Sequence, residues 1–489
     1  MLSAKSPISR LIARRLRRSS TASATLHVAR QGGVTITEYG ELLLQVRRFA
    51  VGLRALGVER GQAVGLIGEG ASETAIALLG CLLVGVAVAD LGDGGDSEDV
   101  IALLRQSQCR AVICGSREQV ESIAATVRQE CGERRLIGWG AASSVNGVMP
   151  FGQVCLKGAE VLEREPMRAN SLFAEPASTD AALLLPRRRR RSETIPPPEQ
   201  ILLDKRERFG VILTQENAIA AAESFRKGLA IDGSDRLLRL GAGTGLVELC
   251  LLCLTALISG AAIVYDTGEL SRQQRAEFTR PTVVLADADE LDALYRELDR
   301  ELLVGSAWRR WLSTWARRVG NEAARRRVSG FDNGVLLGCS LAIADQVVLS
   351  EYRRLLGGMV RRLVSRNART RRSTRWFFEA IGISPLGLIG SPESAGVGLL
   401  EPPDDPRPGC FGKAMPGVGV CVDESGRVMI RGQCVAENAV ERNPSGWLRL
   451  DISAEIDDEG TVWPERALGA LDAPSLAVLP IAEQWEPQK

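Results

Sequence analysis

"AVGLIGEGASETAIALLGCLLVGVAVADL", Ala63 to Leu91, reads as strand, helix, strand. "AVGLIG" and "VAVADL" are short apolar runs, and "SETAIALLGCLLVG" between them is long enough for a helix. Strands alternating with helices at this cadence predict a parallel sheet, because a crossover helix is what returns the chain to the same end of the sheet. The cadence continues through "DSEDVIALLRQSQC", "RAVICG", "REQVESIAATVRQEC" and "RRLIGWG". Upstream, "TITEYGELLLQVRRFAVGLRALGVERG" sets Leu42, Val46, Phe49, Leu53 and Leu56 on one helical face that stops near Gly57. The expectation is an α/β fold with mostly parallel sheets.

Further along, the segment from about Met149 to Gln200 is weakly patterned, and alternation resumes from Phe209 through "AAIVYDTG" and "PTVVLAD". A charged helical stretch follows, with Trp308, Trp311 and Trp315 at helical spacing, which predicts a helix–helix seam. From about Pro408 short strands and turn residues predict a small β subdomain. The expected organisation is a leader (1–30), an α/β subdomain (31–205) ending in an Arg/Pro-rich insertion (187–208), and a second α/β subdomain (206–405). The latter carries a helical insertion at about 290–330; the β subdomain (406–470) and a tail (471–489) complete the chain.

Composition narrows the function. The chain has 489 residues and a net charge of +1, enough for a large core and poor for coating nucleic acid. Its cations are six lysines and 55 arginines, which favours ion pairs and protein contacts over tunable amines. His27 is the single histidine, which removes most Ser-His and Cys-His nucleophile schemes and histidine-ligated metal sites. Of eleven cysteines, Cys250 and Cys253 form a CxxC, but it lies in the apolar "LCLLCLTALISGAAIVY" with no second ligand pair, so buried free thiols are expected and no metal. That stretch reads as a buried helix and strand, and no transmembrane segment is expected. The first 37 residues hold no acid and many arginines and serines, the character of a mitochondrial transit peptide.

The order of segments resembles the adenylate-forming, AMP-binding superfamily, in particular its long-chain fatty acyl-CoA synthetases, over roughly Thr35 to Leu468. The likeness is carried by "ITEYGELLLQVRRFAVGLRALGVERGQAVGLI", "FGVILTQEN", "SDRLLRLGAGTGLVELCLLCLTALISGAAIVY", "RPTVVLADADELDALY", "SEYRRLLGGMVRRLVS", "RPGCFGKAMPGVGV" and "GWLRLDISAEIDDEG". The resemblance implies the large domain of that fold: two α/β subdomains plus a small β subdomain. It also implies binding of ATP·Mg, coupling of a fatty carboxylate to AMP, and exchange of AMP for coenzyme A.

Residue by residue, the resemblance holds unevenly. Where the family has a Ser/Thr/Gly-rich phosphate loop ending in Pro-Lys-Gly-Val, this chain has Arg187, Arg188, Arg189, Arg190 and Arg191, then Pro196 to Pro198, with Phe209 in the lysine slot. Prolines offer no N–H, and arginines do not adopt the glycine conformations that wrap a triphosphate. The adenine-contacting turn reads "SRNAR", with Arg366 and Asn367 in place of two glycines. The Tyr-Gly-x-Thr-Glu motif reads Ile389, Gly390, Ser391, Pro392, Glu393 and keeps the metal-associated glutamate. The ribose aspartate corresponds to Ile452, or to Asp451 after a one-residue shift; the hinge pair is Arg466 and Ala467. The chain stops at Lys489, before the family's C-terminal domain with its catalytic lysine.

On these grounds Glu393 and Asp451 are expected to be vestigial, with no catalytic residues, no cofactor and no metal: a pseudoenzyme. The expected role is an accessory subunit of a large mitochondrial assembly, at the matrix or the matrix face of the inner membrane, with a respiratory-chain complex ahead of a mitoribosome. Its protein partners are expected to meet Arg187–Arg191 and the leader, with anionic lipid or rRNA as further contacts. The alternatives are an acyl-CoA or fatty-acid-binding protein and a residual long-chain fatty acid–CoA ligase.

Overall fold

A computed structural model describes residues 8–28, 34–67, 72–92, 100, 103–105, 107–131, 135–186, 210–241, 245–265, 272–303, 307–328, 330–366, 370–439 and 442–465. Near the N-terminus β1 (Ser23–Val28) and β2 (Val34–Glu38) pair antiparallel. The first α/β sheet holds β3 (Ala63–Ile67), β4 (Ala87–Asp90), β5 (Ala111–Cys114), β6 (Leu136–Gly138), β7 (Met149–Pro150), β8 (Ala181–Leu185) and β9 (Val211–Thr214). Their order is β7-β6-β5-β3-β4-β8-β9, parallel throughout except that β9 returns antiparallel beside β8. β3 is buried along its whole length, as a strand covered on both faces must be.

The second sheet has thirteen strands. Its parallel part is β10 (Arg236–Arg239), β11 (Ala262–Tyr265), β12 (Val283–Asp287), β13 (Arg362–Arg366) and β14 (Pro385–Gly390). β15 (Gly398–Leu400), β16 (Gly412–Ala414), β17 (Val418–Val422), β18 (Arg427–Gly432), β19 (Leu448–Ile456) and β20 (Thr461–Pro464) extend it antiparallel. Sheet membership crosses the expected boundaries: β1 and β2 join the second sheet beside β11, β9 joins the first, and the β subdomain is continuous with β14 through β15 and β16.

The segment expected as a leader is part of this core from Ile8 onward. A helix at Ile8–Ser19 buries Ile8, Leu11 and Ile12 and exposes Arg10, Arg17 and Arg18. β1 lies between β11 and β2, with Leu26 opposite Val264 and Ile36. Arg15 donates through Nε to Leu257 O at 2.9 Å and through Nη2 to Ile258 O at 2.7 Å, at the end of the helix Leu246–Ser259. A basic amphipathic helix looks alike in sequence whether it is a transit signal or packs against a core.

Helices fill the space between the sheets. Tyr39–Ala55 and Phe151–Arg164 cross so closely that a Cβ on Gly52 would run into Val154 O, and one on Gly158 into Arg48 O. Leu246–Ser259 is buried on nearly every side, including Cys250 and Cys253, which are free thiols as expected; burial pushes the Cys253 thiol up to about 12. A second apolar cluster joins Leu291, Leu294, Leu298, Tyr352, Phe377 and Phe378.

In the layer outside that second cluster one expectation fails in part, and a long apolar helix stands where the sequence reading named none. Of the three tryptophans only Trp315 packs against it; Trp308 and Trp311 are exposed and stack on each other with centroids 4.8 Å apart. Gly334–Leu355 forms one helix of 22 residues, long and apolar enough by length and composition to cross a membrane, where no such segment was expected. Its charged residues, Asp345, Glu351, Arg353 and Arg354, all lie in its second half, which hides the apolar first half from a scan for uninterrupted runs.

Candidate functional site

In an open parallel sheet, ligands bind in the crevice beyond the carboxyl ends of the strands, where loops rather than ladder bonds set the chemistry. β10, β12, β13 and β14 all end at one edge, with Asp287 paired to Arg366 and Arg366 to Leu388. Their interiors are apolar, but the edge is ionic. Arg366 donates to Glu248 through Nη1 and to Asp287 Oδ1 through Nε at 3.2 Å. Arg239 donates to Asp287 Oδ2 at 3.0 Å and to Glu290. Glu290 also accepts from Asp287 N at 2.7 Å and so caps the helix Ala288–Leu303. The Arg239 and Arg366 side chains are nearly buried, and burial raises the Glu290 carboxyl above its usual range. A buried network of this kind fixes geometry more than it adds stability. It holds Arg366, at the position resembling the adenine turn, in ion pairs; Asn367 lies outside the described residues.

Beyond β14 the chain makes a tight turn. Gly390 lies so close to Gly396 that a Cβ there would meet its carbonyl. Ser391 N donates to Ser394 Oγ at 3.0 Å, and the buried Ser394 hydroxyl donates to Val397 O at 2.5 Å. Pro392 opens this turn, where its missing N–H costs nothing. The threonine-to-proline change in the motif therefore preserves a rigid support for Glu393. Glu393 is half-buried, its carbonyl accepts from Ala436 N at 2.7 Å, and its carboxylate has no hydrogen bond or ion pair among the described residues. The turn packs against β9, the strand that follows the 187–209 segment.

Asp451 sits elsewhere. On β19 Leu448, Leu450 and Ala454 are buried, so Asp451 points outward; its side chain is 88% exposed and pairs with Arg427 at 3.3 Å. Ile452 shares the inner face and packs on the core. No described contact joins Asp451 to Glu393. Arg187–Arg191, Pro196–Pro198, Phe209, Arg466, Ala467 and Lys489 lie outside the described residues.

Sequence reading missed the clasp around β9. Thr214 and Asn217 form a capping box, and Asn217 Nδ2 donates to Gln433 O at 2.7 Å and Val435 O at 3.2 Å. Ile212 N donates to Asn438 Oδ1 at 3.0 Å. Gln215, fully buried, donates to Leu82 O at 2.8 Å and accepts from Ile8 N at 3.3 Å. The T-x-x-N spacing in "LTQEN" signals the cap; the partners at 433–438 are over 200 residues away and leave no local trace.

Comparison with known proteins places this geometry. The AMP-binding enzyme family profile matches residues 14–173, which begin inside the segment expected as a leader. FadD11 of Mycobacterium tuberculosis, which carries a fatty-acid–CoA ligase name, is 32% identical over 155 residues, 30% of this chain and 27% of its own length. The long-chain-fatty-acid–CoA ligase FadD15 of Mycobacterium bovis is 22% identical over 435 residues, 85% of this chain and 67% of its own length. In fold, the N-terminal domain of FACL13 from Mycobacterium tuberculosis superposes with a TM-score of 0.66 at 16% identity, covering 94% of this chain and 99% of that domain. The anthranilate CoA ligase AuaEII, in complex with anthranoyl-AMP, gives 0.65 at 15% identity, covering 94% and 77%. These relatives are named as ligases, which overturns the expectation of a pseudoenzyme. That expectation leaned on the 187–209 segment and the chain end, which lie outside the described residues, and on the departures at Arg366 and Asn367, Ile389 and Pro392, Ile452, and the hinge pair Arg466 and Ala467.

Proposed function

Starting from a chain that is an acyl-CoA synthetase-like member of the adenylate-forming superfamily, we propose that it activates a long-chain fatty acid by ATP-dependent adenylation, for transfer to coenzyme A. The observation that carries the reading is Glu393: a carboxylate without a partner among the described residues, on a rigid turn at the carboxyl edge of the sheet, next to β9. A hard oxygen donor held this way fits Mg²⁺, whose remaining ligands come from nucleotide phosphates and water. Glu393 is the residue assigned to hold that ion, and the bound ATP·Mg would supply the electrophilic phosphorus. The long-chain preference rests on the name of FadD15 and its match over 85% of this chain.

The test is ATP–pyrophosphate exchange by the purified full-length protein with fatty acids of graded length. Exchange should rise from acetate to long saturated acids, and Glu393→Gln should lower it on the order of 10²-fold at unchanged melting temperature. Absence of exchange with every acid, together with no stabilisation by a non-hydrolysable acyl-adenylate, overturns the proposal. A mitochondrial setting within a larger assembly is a second proposal, supported by the acid-free, arginine-rich N-terminus; subcellular fractionation and native-gel mobility decide it.

A further inference from the structure

The helix Gly334–Leu355 is anchored through the inner side of its second half and carries a bare apolar stripe on its outer side. Ala344, Val348, Leu349, Tyr352 and Leu355 are buried, all of them in the second apolar cluster beside Phe377 and Phe378. Val335, Leu336, Ile343 and Val347 face out, with Phe331 just before the helix; Val335 and Leu336 are 83% and 87% exposed. Spacings of four and seven residues place them on one stripe, with exposed Cys339 between. Its one charged residue in the apolar stretch, Asp345, is neutralised by a two-pronged pair with Arg353 at 2.7 and 2.8 Å. A stripe this wide is more than the scattered single apolar residues that a surface tolerates.

The neighbouring helix, Ala307–Val328, packs beside it and supplies the complementary chemistry. It carries seven arginines and one acid, Glu322. Arg310, Arg318, Arg326 and Arg327 are exposed, and so are the stacked Trp308 and Trp311. Arginine beside tryptophan and bare aliphatic side chains is the composition of a lipid headgroup boundary. Indole rings settle at that depth, guanidinium groups meet lipid phosphate, and aliphatic groups reach the acyl region.

We infer that the outer face of helices Ala307–Val328 and Gly334–Leu355 docks in the plane of an anionic lipid bilayer. The helix passes the length test for a membrane span, but the inner side of its second half, from Ala344, is committed to the core, so it lies along the interface and does not cross. The charge pattern selects lipid over a second copy of this chain, because pairing two such faces would bring two arginine-rich helices together.

Vesicle co-sedimentation of the full chain tests this. Binding to phosphatidylcholine vesicles containing phosphatidylserine should exceed binding to pure phosphatidylcholine by at least about tenfold and fall with salt. Brominated lipids should quench tryptophan fluorescence, with Trp308→Ser plus Trp311→Ser removing most of the quenching. Leu336→Glu plus Ile343→Glu should lower binding about tenfold or more at unchanged melting temperature; if that pair unfolds the chain, Arg310→Glu plus Arg318→Glu serves in its place. No preference for anionic vesicles overturns the inference, as does unchanged binding by a folded variant. So does a concentration-dependent dimer that the same substitutions abolish.

Discussion

Two apolar stretches of helix, Leu246–Ser259 and the first half of Gly334–Leu355, meet opposite fates in this molecule. Leu246–Ser259 has one charged residue, Glu248, and is enclosed by the helices Ile8–Ser19, Ser72–Leu83 and Gln215–Gly228. Gly334–Leu355 keeps its outer stripe in the open. The difference is not in the side chains that define each helix but in what arrives to finish its polar ends. The buried helix ends on Gly260 in the left-handed region at φ +92°, and its last carbonyls are met from far away in sequence. Arg15 takes Leu257 O and Ile258 O, while the Tyr39 hydroxyl lies 2.7 Å from Ala256 O and 2.6 Å from Ala261 O and donates to one of them. Burial holds that phenol far above its usual range, so it remains a donor. An apolar helix can be buried only when its orphan carbonyls are satisfied, and here residues 15 and 39 do it.

One set of variants, measured by urea unfolding, sharpens this contrast. Leu254→Ala removes a fully buried side chain and should cost about 3–5 kcal/mol. Arg15→Ala leaves Leu257 O and Ile258 O without their buried donor and should cost about 2–3 kcal/mol. Leu336→Ala, the same chemical change as the first but on the bare stripe, should stay within about 0.5 kcal/mol. If Leu336→Ala costs as much as Leu254→Ala, the outer stripe is covered in solution and the contrast collapses. If Arg15→Ala is silent, the helix Ile8–Ser19 is not what completes the buried one.

The same contrast marks how far sequence could be read. The strands β3 to β6 and the helix Ser72–Leu83 were legible because apolar runs and helical spacing are local signals. The N-terminal helix reads two ways, because the features that mark a transit signal, an apolar stripe and scattered arginines, also mark a helix that covers a core. At the site, Glu393 was found by motif, and its lack of a partner among the described residues is a fact of three dimensions. Asp451 and Ile452 show a limit intrinsic to strands: successive residues face opposite ways, so a one-residue choice of register decides between a solvated carboxylate and a core side chain. The ionic edge of Arg239, Asp287, Glu290 and Arg366 unites residues up to 127 positions apart, and nothing local in the sequence announces it.

The smallest effect falls on the strand next to the N-terminal helix. His27 lies on β1, stacked on Tyr265 with ring centroids 4.8 Å apart, and its buried Nε2 has no hydrogen-bond partner among the described residues. Burial lowers its pKa below the ordinary 6.5, with only partial opposition from Glu73. In the unfolded chain the imidazole regains its ordinary value and binds a proton first as pH falls. Unfolding then takes up protons, so this residue's contribution to stability is full above about pH 6.5 and declines below it, until the pH passes the lowered folded value. His27→Gln should flatten the fall in melting temperature between about pH 6.5 and 5 while changing little at pH 8. An unchanged slope in the variant would mean that this imidazole reaches water, and that β1 is held less tightly in the sheet than the buried helix beside it requires.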